Sequence, residues 1–240
     1  MIIKPIELKS EFENYLTERY EFAYGYAKGF LANNLAFDEY EIDSYDLHSF
    51  HFGAFNESKL HACTRVVSDT KGERNFNLND KTNSIITSLS NSVKPKNGLA
   101  LQEYVTAKES KMVEDYFQPL REKGKMLNEI GRLIRCVKEG EKYLMNYIIC
   151  YAWAFCRFHK IDYGFFEAVK SHCAYYERFF NCKHVMQEIE FTPITGGEPC
   201  YLMQANVDNL PAKMNLVVNK IVEKFKIAGG PCEVKLEEIR

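Results

Sequence analysis

The stretch KEGEKYLMNYIICYAWAFCRFHK (138–160) constrains this chain most. Its apolar residues run nearly all the way round a helix, so that helix has to be covered on more than one side. Strand-like segments flank it. MLNEIGRLIRCV (126–137) is rich in Ile, Leu and Val, and DYGFFEAV (162–169) reads as a buried strand. The apolar run from Tyr143 to Phe158 is broken by Asn146 and Arg157 and is too short to span a bilayer, so the cover has to be protein. Gly131, in the middle of the first strand, predicts a bulge or a close backbone approach.

Around this unit the patterning predicts a helix over 8–31, with Phe12, Tyr15, Leu16, Phe22, Ala23, Tyr26, Ala27 and Phe30 on one face and Pro5 just ahead. An acidic connector, FDEYEIDSYD (37–46), leads into an antiparallel hairpin, strands 47–56 and 60–69 joined at ESK. Residues 71–98, rich in Asn, Ser and Lys, read as an excursion or lid holding one short helix. A helix over 99–120 follows. After 162–169 come a short helix over 171–181, strands over 184–192 and 198–206, and a helix from Pro211 through Phe225. The last of these sets Met214, Val217, Val218, Ile221, Val222 and Phe225 on one face. This order specifies a single α/β domain over 1–240, a mixed sandwich, with 207–240 as a C-terminal helical extension.

Lysine and arginine (31) nearly balance aspartate and glutamate (33), which argues against a nucleic-acid protein. No C-x-x-C occurs among the eight cysteines, and MIIKPIELKSEF lacks the apolar run of a secretory signal. They read as reduced thiols in a cytoplasmic protein without an integral membrane segment, mostly small core residues. His172, Cys173, Cys182 and His184 fit no common zinc spacing, so no metal and no tightly bound cofactor is expected. Cys63 has no histidine placed to activate it, which argues against covalent catalysis.

Three short stretches carry chemistry. The first is Glu41-x-Asp43-x-x-Asp46, preceded by Asp38 and Glu39, which read as solvated. The second is Arg65 in CTRVV, and the third is Glu129-x-x-Arg132 in NEIGRLIR. Their order, followed by the long helix and DYGFFEAV, resembles the acyl-homoserine-lactone synthases and the long-chain N-acyl amino acid synthases. These form a branch of the GNAT N-acyltransferase superfamily. The resemblance covers roughly residues 12–205. It implies a mixed central sheet with a splayed strand pair and helices on both faces, and an acyl thioester lying in the gap between the splayed strands.

On that reading Glu129 is the general base that takes the amine's proton, and a bulge near Gly131 aims a backbone N–H at the oxyanion. Burial would have to raise the Glu129 carboxylate for that work. The plainer alternative is a glutamate paired with an arginine. Glu41, Asp43, Asp46, Arg65 and Arg132 form a network beside the acceptor pocket: either it binds the acceptor's charged groups, or it is an ion-pair cluster pinning the N-terminal segment to the sheet. Tyr176 stands where many GNAT enzymes place a tyrosine that protonates the leaving thiolate, or it is core.

Acetyl-CoA enzymes of the superfamily follow this strand with a glycine-rich pyrophosphate cradle. RLIRCVKEGEKY has a single Gly140 there, and Arg135, Lys138 and Lys142 suit an acidic protein surface. The expected donor is therefore acyl-acyl carrier protein, with acyl-CoA as the other choice, and the expected acceptor is a small-molecule amine. The expected function is fatty N-acylation of an amino acid or similar amine. A homoserine-lactone synthase using S-adenosylmethionine is the alternative, although many such synthases carry an N-terminal Trp and here the one Trp is Trp153. A non-catalytic acyl or carrier-protein binding module is a third reading.

Overall fold

A computed structural model of the chain describes residues 1–26, 36–37, 40–72, 80–89, 94, 96–102, 107–138, 140–186 and 200–240. The chain opens with β1 (Ile2–Pro5), α1 (Lys9–Tyr26), β2 (Ala36–Phe37) and β3 (Tyr40–Glu41), then the hairpin β4 (Ser49–Asn56) and β5 (Lys59–Ser68). Helices α2 (Asp80–Leu89) and α3 (Ala107–Glu122) precede the central unit of β6 (Leu127–Arg135), α4 (Leu144–Phe158) and β7 (Tyr163–Val169). Then come α5 (Lys170–Phe180), β8 (Lys183–His184), β9 (Cys200–Asn206), α6 (Ala212–Ala228), β10 (Val234–Lys235) and α7 (Leu236–Ile239). One sheet takes the order β10-β1-β4-β5-β6-β7-β9-β8, and β2 and β3 form a separate two-stranded ladder.

Among the described strands of the large sheet only β6 and β7 run parallel, because α4 carries the chain back over the sheet between them. Their ladder is short: Leu127↔Tyr163, Asn128↔Gly164, Glu129↔Phe165, and then no further pair. Both strands continue, β6 to Arg135 and β7 to Val169, so they part immediately after Glu129. This is the splayed pair expected from the resemblance.

Side-chain alternation divides the molecule into layers. On one face, Phe52, Ala54, Ala62, Val66, Ile130, Phe166, Ala168, Met203 and Ala205 pack against α4, α5 and α6. Helix α4 lies between the sheet and α6, which meets its demand for cover on two sides; Tyr151 and Phe225 stack edge-on at 5.0 Å. The six apolar residues expected on α6 all belong to this core. Gly164 is needed here, since a Cβ would lie 2.3 Å from the Trp153 ring. The opposite face holds two separate apolar clusters. One joins α1, α2 and Ile134; the other joins α3, Leu99, Leu101, Phe165 and Leu202.

Several expectations need correcting. The helix expected over 138–160 begins only at Leu144, because Lys138 to Tyr143 is charged and Gly140 takes φ +138°, outside any helix. Residues 99–120 hold a 3-10 turn (Ala100–Gln102) before α3, which starts at Ala107. Phe22, assigned to the buried face of α1, is 41% exposed. Strand β1 was not anticipated; its four residues pair with β4, and Ile2 and Ile3 also pair with β10. Of the strand over 184–192, His184 lies in β8 while 187–192 falls outside the described residues, as do the last turns of the 8–31 helix, Asp38 and Glu39. No helix among the described residues is long and apolar enough to cross a membrane.

Candidate functional site

The space between the two clusters on the α1/α3 face is filled by charge. On β5, Cys63 enters the first cluster and Val67 the second, while Arg65 between them is buried. Arg65 Nη1 and Nη2 each donate to Asp43 at 2.7 Å, a two-pronged pairing, and Nη1 also reaches Asp46 Oδ1 at 2.6 Å. The connector that carries these carboxylates is turned inward on itself: Asp43 Oδ1 accepts the Tyr45 N–H (2.9 Å) and Asp46 Oδ2 accepts the Asp43 N–H (2.9 Å). Arg132 completes the set, Nε donating to Glu41 Oε1 at 2.9 Å and Nη2 to Asp43 Oδ2 at 3.2 Å. The structure thus brings Glu41, Asp43, Asp46, Arg65 and Arg132 into one buried network.

A sixth member was not read from the sequence. Arg19, fully buried on α1, donates to Glu41 through Nε and forks onto Asp46 through Nη1 (2.7 Å) and Nη2 (3.2 Å). The signal was present: Phe12, Tyr15, Leu16 and Arg19 occupy i, i+3, i+4 and i+7, so the arginine sits in line with the apolar stripe. Three arginines then meet three carboxylates. Opposite charge overcomes burial at every one, holding Glu41, Asp43 and Asp46 below the usual carboxylate range.

His51 closes the network from β4. Its Nε2 donates to the Asp46 carbonyl (3.2 Å) and its Nδ1 pairs with the Tyr15 hydroxyl (3.1 Å), contacts that suit a neutral ring protonated at Nε2. Burial lowers its pKa from 6.5 to about 4. The unfolded chain therefore binds a proton near pH 6.5 that the folded chain refuses until about pH 4. Stability is full above that window and is expected to fall by on the order of 3 kcal/mol as pH drops through it. Urea midpoints measured across the range should show the slope in wild type and lose it in His51→Gln.

Glu129 lies at the mouth of the splay, 5% exposed. Oε2 accepts the Leu101 N–H at 2.9 Å, which docks the 3-10 turn onto the strand; Oε1 has no hydrogen-bond partner among the described residues. Burial lifts its pKa, while Arg65, the Leu101 N–H and Arg132 oppose the rise. Among the described residues no arginine lies within 4 Å of it to form an ion pair. Gly131 keeps this carboxylate in place, since a Cβ there would lie 3.1 Å from Oε1.

The bulge sits one residue beyond Gly131. Cys63 pairs with Ile134 but Arg65 with Gly131, so Thr64 faces both Arg132 and Leu133. Arg132 takes φ +53°, and the Thr64 hydroxyl donates to the Gly131 carbonyl at 3.0 Å. The extra residue reverses the alternation: Ile130 belongs to the α4 face but Ile134 to the α1 face. That reversal delivers Arg132 to Glu41 and Asp43.

Tyr176 packs on the other side of the sheet, its ring 4.7 Å from Phe166 in the α4 layer, and burial pushes its phenol up to about 12. Arg135, Lys138 and Lys142 are exposed along the β6–α4 connection; Arg135 Nε donates to the Val137 carbonyl at 3.0 Å. Cys63, Cys173 and Cys182 are buried core thiols.

Against known proteins, residues 102–206 match the family described as N-acyl amino acid synthase FeeM. A comparison with curated protein sequences finds no match. Among solved structures, FeeM, an N-acyl amino acid synthase from uncultured soil microbes, superposes with TM-score 0.53 at 12% identity, covering 86% of this chain and 95% of that one. The acyl-homoserine-lactone synthase LasI gives 0.55 at 13% identity (86% and 89% covered). BjaI, a CoA-dependent acyl-homoserine-lactone synthase solved with SAM and isopentyl-CoA, gives 0.54 at 12% (99% and 96%). The chain therefore has the acyltransferase fold shared by these synthases, and its residues 102–206, which carry Glu129, Arg132 and Tyr176, match the N-acyl amino acid synthase family.

Proposed function

We propose that this protein transfers a fatty acyl group from acyl carrier protein to the amine of an amino acid or similar small molecule. The observation that carries this reading is the parting of β6 and β7 directly after Glu129. Beyond that pair the facing edges of two central strands have no ladder partner among the described residues, which suits an extended thioester arm pairing with backbone groups. The carboxylate at the mouth has one oxygen without a partner among the described residues, and burial raises its pKa, the direction a general base requires.

In this reading Glu129 takes the amine's proton, the amine attacks the thioester carbon, and a backbone N–H at the Arg132 bulge stabilises the oxyanion. The arginine–carboxylate network, whose three carboxylates are all paired although Arg65 Nε has no partner among the described residues, holds β5, the 41–46 connector and α1 in register beside the gap, with Arg132, the most exposed member at 16%, nearest to the acceptor. Tyr176, on the α4 side, supplies a proton to the departing thiolate. Mass spectrometry of extracts from an expressing host tests the function: N-acylated amines support it, acyl lactones would assign the homoserine-lactone reaction, and neither product would leave a binding module.

The donor assignment rests on the β6–α4 connection, where Arg135, Lys138 and Lys142 are exposed. Reversing all three to Glu is expected to raise KM for acyl carrier protein by on the order of tenfold or more, and to leave palmitoyl-CoA turnover unchanged. Equal effects on both donors would contradict a carrier-protein surface.

A further inference from the structure

Glu129 does not face the gap alone. On β7 the side chains that share its face are Tyr163, Phe165 and Val169, all packed in the apolar cluster with Leu99, Leu101, Phe117 and Leu202. Glu167 occupies the alternate position between Phe165 and Val169, so the strand carries a carboxyl where its pattern calls for an apolar side chain. Part of the residue reaches the surface, but Oε1 is buried and has no hydrogen-bond partner among the described residues. Glu129↔Phe165 is the last pair of the parallel ladder, which puts Glu129 on one rim of the gap and Glu167 one pleat further along the other.

The fold makes no use of this carboxyl. No arginine or lysine pairs with it among the described residues, and a buried acceptor without a donor destabilises the protein that contains it. The charges near it are Glu129, which repels it, and Arg132, which attracts it less strongly; burial is the larger influence, and together they lift its pKa well above the ordinary range. Burial and Glu129 both favour the protonated form of Glu167 in the free protein. What two carboxyls across a gap accommodate is a group with positive charge and several N–H donors. An anion would be repelled, and a hydroxyl brings no positive charge to set against the two carboxyls.

We propose that Glu167 is the second anchor for the acceptor, whose ammonium group sits between Glu129 and Glu167 and donates an N–H to each. The inference rests on the acyl-transfer reading in taking this ligand to be the acceptor amine. The ammonium's charge favours the ionised form of Glu167, whose proton goes to water. Glu129 then takes one proton from the ammonium; the nitrogen lone pair forms the C–N bond and the thioester C–S bond breaks. The thiolate leaves with the bonding pair and takes its proton from Tyr176, the nitrogen's surplus proton restores the Tyr176 phenol through water, and the proton on Glu129 returns to water. Glu167 orients the nitrogen through this sequence and is a binding residue, not the base.

Glu167→Gln keeps the shape and an acceptor oxygen but removes the charge. With whichever amine the protein acylates, its KM for that amine is expected to rise about 10–100-fold while KM for the acyl donor stays within about twofold. Thermal stability at neutral pH should hold or increase, because a buried unpartnered carboxyl is gone. An unchanged amine KM, or a loss confined to stability, would overturn the proposal. If no amine is acylated with either donor, the functional reading fails by itself, and infrared difference spectroscopy still reads Glu167. Wild type should show a neutral-carboxyl band that methylammonium abolishes and that Glu167→Gln lacks; a band insensitive to methylammonium would overturn the anchor.

Discussion

Glu129→Gln is expected to lower kcat by about 10²–10⁴-fold with the fold intact. Glutamine has the volume of glutamate, and its carbonyl oxygen can keep accepting the Leu101 N–H that docks the 3-10 turn. Gly131 leaves the same space beside it. What disappears is the proton acceptor at Oε1. Wild-type activity should rise with pH through the lifted pKa of this group, since only the ionised form is a base, and that limb should vanish in the variant. The melting temperature should be equal or higher, because a carboxylate raised by burial destabilises the folded state at neutral pH. A variant with wild-type rate and an unchanged pH profile would remove Glu129 from the chemistry.

Arg65→Met should cost about 3–5 kcal/mol, a fall in melting temperature of roughly 10 °C for a chain of this size. Methionine fills the volume but leaves Asp43 without its two-pronged partner and Asp46 without a donor at 2.6 Å, both fully surrounded by protein. The penalty comes from the uncompensated carboxylates more than from the lost attraction. Asp43→Asn added to Arg65→Met should therefore recover part of the loss, and a double-mutant cycle measures how much. A single variant melting within about 2 °C of wild type would show that the network is not holding the connector to the sheet.

The sequence carried much of this site because its residues sit in short local patterns. Glu41, Asp43 and Asp46 lie within one six-residue connector, and Glu129 and Arg132 within one strand, so spacing alone grouped them. Arg19 joins the network across 22 residues from Glu41, and no local pattern expresses that contact. His51 and Tyr15 escaped for the same reason. The bulge was anticipated at Gly131 because glycine is the usual mark of one. The structure instead places the positive φ on Arg132, whose side chain is repaid by Glu41 and Asp43, and uses Gly131 to make room for the Glu129 carboxylate.

Secondary structure followed a similar division. The hairpin, β6, β7 and α6 were legible because each has a clean apolar period and a turn signal at its ends. β1 was not, since four residues ending in proline carry too little pattern, and their place in the sheet depends on β4 and β10 alone. Glu167 was missed because DYGFFEAV reads as a buried strand, and a single carboxyl in it looks like a boundary until the sheet shows which face it occupies.

The most direct test of the central claim is mass spectrometry of purified protein incubated with palmitoyl carrier protein, all twenty amino acids and S-adenosylmethionine. The account predicts an N-palmitoyl amino acid in the wild-type reaction and its near absence with Glu129→Gln. A lactone product, or no acylated amine from a protein that still binds the acyl carrier protein, would contradict it.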